Sequence, residues 1–358
     1  MPEPSRRAFL GWTLGALGVA VVGTAAGAAI TAARRPPRVP VTLPVPRTTE
    51  PIPTGADLGI DGLAPIITPA ADFYRTDTAF VIPDIDPADW RLRIHGLVEE
   101  EVTLTWDELM TLPFAEHVTT LMCVSNPVGG DLIGTATWLG TPIRDLLARA
   151  RPQAGADMVL STSADGFTAS TPLAALQDPD RVAVLAVGMN GEPLTPVRGF
   201  PVRMVVAGLY GYVSATKWVT DLEVTTFAAK QAFWTFNGWA EQAPVKLESR
   251  IDVPKANARL AAGPVTVAGV AWHQHVGIAA VEFRVDDGAW LPTRLSAPIN
   301  ADTWVQWVGT WDASGAADGQ HRITVRATGA DGEVQTDVVA STVPDGATGL
   351  HYIAVYLE

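Results

Sequence analysis

The pattern of apolar and polar positions changes character along the chain. An apolar, Gly/Ala-rich run occupies Gly11 to Ala33 and is closed by Arg34 and Arg35. Pro36, Pro37, Pro40, Pro44, Pro46, Pro51 and Pro53 follow, and they favour an extended, polyproline-like linker. From Phe73 to about Phe227 short strand patterns mix with short helical ones. Trp90 to Gly96 alternates with period two and predicts a strand. Thr105-Trp-Asp-Glu108 is a capping box opening a short helix through Leu109 and Leu112. Thr141 is placed to cap another helix, with Pro142 at its first position and Ile143, Leu146, Leu147 and Ala150 on one apolar stripe. Val182–Val187 and Val202–Val206 read as buried strands. Short, irregularly placed helices argue against a doubly wound parallel sheet and for an α+β fold with mixed sheets.

From about Ala261 the texture becomes all-β. Val281–Val285, Trp304–Trp311, Arg322–Arg326 and His351–Leu357 alternate apolar with polar or small residues. Asp286-Asp287-Gly288 and Asp331-Gly332 supply hairpin turns. This pattern predicts an immunoglobulin-like sandwich of about a hundred residues. The expected organisation is therefore 1–34 as an apolar N-terminal segment, 35–60 as linker, 61–255 as an α+β domain and 256–358 as the sandwich.

The chain has 358 residues and a net charge of −13, with 38 acidic against 25 basic side chains. No basic run occurs beyond the N-terminal segment, which argues against nucleic acid as a partner. The single cysteine, Cys123, excludes a disulfide within the chain and a Cys-rich zinc or iron–sulfur site. It ends an apolar run and is followed at once by a Pro- and Gly-rich polar loop, Ser125 to Gly134. The residues alone leave three readings: a buried inert thiol, a nucleophile, or a thiolate ligand to a metal carried by a cofactor. There is no phosphate-loop lysine pattern, heme-attachment Cys pair or serine nucleophile elbow.

Cys123-Val-Ser-Asn126, Gly129-Gly130-Asp131 and Trp138 to Leu147 closely resemble the sulfite oxidase family of molybdopterin-dependent oxidoreductases. The match recurs over most of the chain after residue 70. The resemblance implies a molybdopterin cofactor with Cys123 as the protein ligand to molybdenum, and a C-terminal sandwich that serves dimerisation. It implies that Tyr74, Arg75 and Asp77 belong to a segment approaching the metal and the pterin, and that Asp165 sits in a cofactor-contacting loop. Arg198-Gly-Phe-Pro-Val-Arg203 resembles a pterin-binding pattern whose first residue is usually histidine. Arginine there can donate to phosphate but cannot carry a proton. Ser214 and Lys217 match a segment enclosing the cofactor's phosphate end. Phe236 occupies the place of a tyrosine near the metal, beside an unusual Asn237, and Arg250 is aligned as a contact for an anionic substrate.

The activity so implied is oxygen-atom transfer, a sulfite oxidase-like oxidation of a small oxyanion, with electrons passed to a separate cytochrome or quinone-linked partner. The alternatives are a reductase of sulfoxides or other oxo substrates, and a scaffold that has lost turnover. Ser5-Arg6-Arg7-Ala8-Phe9-Leu10 is a twin-arginine pattern, so export with or without anchoring in a membrane is expected. His273-Gln-His275 has a strand spacing that would bring two imidazoles to one face. With Val270 and Trp272 on the other face, they are expected to be solvent-exposed.

Overall fold

The computed structural model describes residues 41–358. The export pattern, the apolar run and the first prolines of the linker lie outside the described residues. Among those described, no helix is long and apolar enough to cross a membrane.

The N-terminal body is built on two sheets. In the first, strands Val102–Thr105, Arg91–Gly96, Val219–Thr225, Met158–Ser163 and Thr168–Pro172 lie side by side in that order. Arg91–Gly96 runs parallel to Val219–Thr225 and the other pairs are antiparallel, so the sheet is mixed as expected. The second sheet orders Ala115–Met122, Ile133–Pro142, Ala183–Met189 and Glu192–Pro193, with Arg203–Val206 also pairing to Ala183–Met189. Short helices fill the gaps. Trp106–Met110 carries the full capping box: Thr105 Oγ1 accepts from Glu108 N, and Glu108 accepts from Thr105 N at 2.8 Å. The helix Ile143–Ala150 buries Ile143, Leu146, Leu147 and Ala150. Its start corrects the sequence expectation. Thr141 is a strand residue paired with Leu185, Pro142 is the N-cap, and no side chain caps this helix. Strand pairing has taken the residue that capping chemistry alone would assign to the helix.

The second body is a two-sheet sandwich. One sheet orders Glu248–Val253, Pro264–Trp272, Val305–Asp312 and Arg294–Leu295. The other orders Arg259–Leu260, Tyr352–Leu357, Gly319–Gly329, Ile278–Val285 and Leu291–Pro292. The chain thus enters the sandwich at Glu248, ahead of residue 256. Val267, Phe283, Trp307, Ile323, Val325 and Val355, all fully buried, fill the space between the sheets.

The sandwich buttresses the strand that leads to the cysteine. Thr120 N donates to Asp302 O at 3.0 Å, Trp304 N donates to Thr120 Oγ1 at 2.9 Å, and Gln274 Nε2 donates to Thr120 O. Val270, Trp272 and Trp304 join the same apolar core as Met122 and Val124. Strand Ala115–Met122 is therefore clamped on both sides just before it delivers Cys123.

Candidate cofactor cleft

A cleft of about 300 Å³ opens where the two sheets of the N-terminal body meet their connecting loops. It is lined by Tyr74, Asp77, Cys123, Asp165, Arg203 and Lys217 among the residues singled out from sequence. The cleft thus gathers side chains from sequence segments 140 positions apart.

Cys123 is the first residue after its strand. Its N–H donates to Leu132 O at 2.9 Å, closing the loop that follows, and its Sγ lies 2.9 Å from Ser125 Oγ. The loop is shaped from within by Asn126, fully buried, whose Oδ1 accepts from Leu132 N at 2.8 Å. Gly129 lies at φ 77°, and the place of a Cβ there is taken by the His351 ring. Asn126 is a supporting residue that no spacing argument flagged. The thiol is partly exposed to the cleft and so is not an inert core thiol.

The opposite wall comes from the loop around Tyr74. Arg198 holds it: its guanidinium donates to Tyr74 O at 2.8 Å, Ala70 O at 2.7 Å and Phe73 O at 2.6 Å. Arg198 is thereby occupied with backbone and lies outside the cleft lining. Burial, with Arg75 nearby, holds its pKa below the usual guanidinium value. Arg75 itself is half exposed, pairs with Asp77 at 2.9 Å, and also lies outside the lining. Tyr74 stacks on Phe73 at 5.2 Å, and burial followed by the charge of Cys123 raises its phenol well above the ordinary value.

The floor is cationic. Lys217 Nζ donates to Asp77 Oδ2 at 2.9 Å. Burial works to raise Asp77, but the hydrogen bonds from Arg75 and Lys217 outweigh it and leave the carboxyl below its usual range. Burial and the neighbouring Arg203 pull Lys217 down to about 8, against the favourable pull of Asp77. Arg203 is 5 % exposed, and among the described residues no carboxylate pairs with it. It donates only to the carbonyls of Met204, Arg198 and Ala215, at 3.5, 3.2 and 3.4 Å, and lies 4.9 Å over the Trp138 ring. Burial pulls its pKa down to about 10. A buried guanidinium held by three long carbonyl contacts is under-satisfied, and an anion in the cleft would satisfy it.

Three further sequence-derived residues, besides Arg75 and Arg198, fall elsewhere. Ser214 turns its hydroxyl back onto Leu209 O and Tyr210 O at 2.9 and 3.1 Å, outside the lining. Arg250 is buried against Asp252, with Nε to Oδ1 at 2.7 Å, and its Nη1 donates to Gly130 O at 2.9 Å. Its donors brace the loop after Cys123 from the sandwich side. Phe236 is 78 % exposed at the end of the four-residue helix Phe233–Phe236. Two helical residues point about 200° apart, so Trp234 faces the cleft and Phe236 does not. With Trp239, Tyr212 and Phe167, Trp234 makes an aromatic collar that sequence reading missed. Tyr212–Trp239 and Trp234–Trp239 ring centroids are 5.9 and 6.3 Å apart. The density of aromatic residues between Phe233 and Trp239 was the available signal.

These features place an accessible thiol and buried cationic donors in one cleft, an arrangement suited to an anionic group. Residues 79–234 match the family model for the oxidoreductase molybdopterin binding domain, and residues 248–325 match that for a bacterial Ig domain. Mitochondrial sulfite oxidase of Homo sapiens is 29% identical over 289 residues, covering 67% of this chain and 52% of that protein. An NADH nitrate reductase of Volvox carteri is 33% identical over 197 residues, 48% of this chain and 22% of that protein. The sulfane dehydrogenase SoxCD of Paracoccus pantotrophus shares the fold, with a TM-score of 0.63 at 22% identity over 76% of each chain. The chain carries a molybdopterin-dependent oxidoreductase domain over residues 79–234 and is similar to the sulfite oxidases. It spans about half the length of the curated sulfite oxidases it matches.

Proposed function

We propose that this chain catalyses oxygen-atom transfer at the Cys123 cleft, on a small oxyanion as in the sulfite-oxidising relatives, with electrons passed to a separate acceptor. The observation that carries the proposal is the pairing in one cleft of an accessible lone thiol with a buried guanidinium, Arg203, that lacks an anion. The residues fit an anionic pterin cofactor: Cys123 as thiolate ligand, Arg203 and Lys217 as cationic donors, and Tyr74, Asp77 and Asp165 along the walls. When bound, the molybdenum centre supplies oxygen-atom transfer coupled to a two-electron change.

The protein's own part is electrostatic and geometric. Burial and Arg203 hold Lys217 at about 8, and a cofactor anion beside it would favour its charged form. Asp77 holds the amine in place meanwhile. The collar of Trp234, Trp239 and Tyr212 narrows the mouth and limits water and competing ligands. The Cys123→Ser variant tests the proposal: turnover with sulfite is abolished while the fold and the tryptophan fluorescence are retained. Full activity in that variant would refute it.

One observation favours a second substrate reading. Arg75 and Arg250, the two arginines aligned with substrate contact, are already paired with Asp77 and Asp252, while the mouth is aromatic. Such a mouth suits a neutral organic sulfoxide, whose alkyl groups pack on rings. Competitive assays with sulfite and with a dialkyl sulfoxide, following acceptor reduction or donor oxidation, separate the two. The same proposal includes export by the twin-arginine route and a dimer through the sandwich.

A further inference from the structure

The histidines discounted from sequence do not sit on an exposed strand face. The strand ends at Trp272, and residues 273–277 form a turn in which Val276 N and Gly277 N both donate to His273 O, at 3.1 and 2.7 Å. His275, at φ 66°, is sent toward Asp302 and Asp178, at 3.4 and 3.6 Å. His273 goes the other way, to the hairpin tip Ala330–Glu333, and its side chain is only 12% exposed.

Asp331 and Glu333 flank this ring. Asp331 Oδ1 is 3.9 Å from His273 Nδ1, and Glu333 Oε2 is 3.8 Å from Nε2. Both separations exceed a hydrogen bond, and Nδ1, buried, has no hydrogen-bond partner. Among the described residues neither carboxylate is paired with a lysine or arginine, so two negative charges stand uncompensated beside one imidazole. The scaffold under them is fixed. Ala330 N donates to Gly277 O at 3.0 Å, Gly329 N donates to Glu333 O at 2.8 Å, and Glu333 N donates to Asp331 Oδ1 at 3.0 Å. Gly329 makes the approach possible, since a Cβ there would lie 2.5 Å from His273 Nδ1 and 2.6 Å from Asp331 Oδ1.

We propose that His273, Asp331 and Glu333 bind a divalent first-row transition ion, with zinc as its representative, which clips the His273 turn to the hairpin tip of the sandwich. One atom from each residue can be chosen so that all lie within 4.8 Å of one another. Ligands at about 2.0–2.2 Å in tetrahedral array stand about 3.4 Å apart, so closure from separations of up to 4.8 Å needs shifts of up to about 1.4 Å. The carboxylates, 47% and 60% exposed, are free to make them. An imidazole in the set favours zinc, cobalt or nickel over calcium or magnesium, which take oxygen ligands. The fourth position would be held by water, and the site is independent of the Cys123 cleft.

The test is titration of the full chain, stripped with EDTA, with zinc by calorimetry and with cobalt by visible absorption, alongside calcium as a control. The expected result is one equivalent of zinc, a rise in melting temperature reversed by EDTA, and no response to calcium. His273→Ala should lose that equivalent. Glu333→Gln, at an exposed position that does not endanger the fold, should weaken it about tenfold or more. His275→Ala should bind as the parent does. The proposal is overturned if the parent binds no zinc, if calcium binds equally well, or if the bound equivalent survives both His273→Ala and Glu333→Gln.

Discussion

Glu248 opens the first strand of the sandwich, is 1 % exposed, and has no hydrogen-bond partner on either carboxyl oxygen. Burial raises its pKa from 4.5 to about 8, opposed only in part by the charge of Lys246. In the unfolded chain the group loses its proton near 4.5, and in the folded chain near 8. Between these values the native state holds more protons than the unfolded state, so stability falls as pH rises and the dependence ends above the folded pKa. One pKa unit is about 1.4 kcal/mol, which makes the loss about 3 kcal/mol between roughly pH 5 and 8. Glu248→Gln keeps the shape and removes the titration. Any cost of a buried unpaired amide is the same at every pH, so it cancels from the slope. Urea denaturation of both proteins at several pH values is the assay. The stability of the wild type should fall toward pH 8 relative to the variant, by about that 3 kcal/mol. Parallel curves for the two proteins would refute the assignment of a buried, protonated carboxyl.

Arg203→Met should leave the core folded but cut the pterin recovered with the purified protein several-fold, as measured by fluorescence of the oxidised pterin. Lys217, pulled down to about 8, gains a proton when an anion binds beside it. Sulfate affinity of the cofactor-free protein should therefore hold below that pH and fall above it, and in Lys217→Met that fall near pH 8 should vanish. Arg250→Ala leaves Asp252 buried without its partner and releases Gly130 O. A loss of about 3–5 kcal/mol in urea denaturation is expected.

The alternation of period two and the turn signals placed strands with one face in a core and one outside it, such as Val281–Val285 in Ile278–Val285, while continuous apolar runs marked those buried on both faces, such as Ala183–Met189. Thr141 shows where local chemistry misled: a good capping residue was needed by the ladder to Leu185. Within the site, Cys123, Lys217 and Arg203 were legible because a family motif fixes the residue type. The direction of a side chain was not. Arg198 and Arg250 carry the charge a cofactor or substrate would need, yet carbonyls and Asp252 reached them first. Phe236 and Trp234 are two residues apart on one helical turn, and only the helix phase decides which enters the cleft. His273 and His275 were read at strand spacing, but the turn after Trp272 sends them apart.

The central claim is that the Cys123 cleft holds a molybdenum–pterin cofactor. The most direct measurement is molybdenum and pterin per chain, by elemental analysis and pterin fluorescence, on wild type and Cys123→Ser purified from a host that makes the cofactor. Near one molybdenum and one pterin are expected for each wild-type chain, with pterin retained but turnover absent in the variant. Folded wild-type protein carrying neither, from a host whose own molybdoenzymes are loaded, would contradict it.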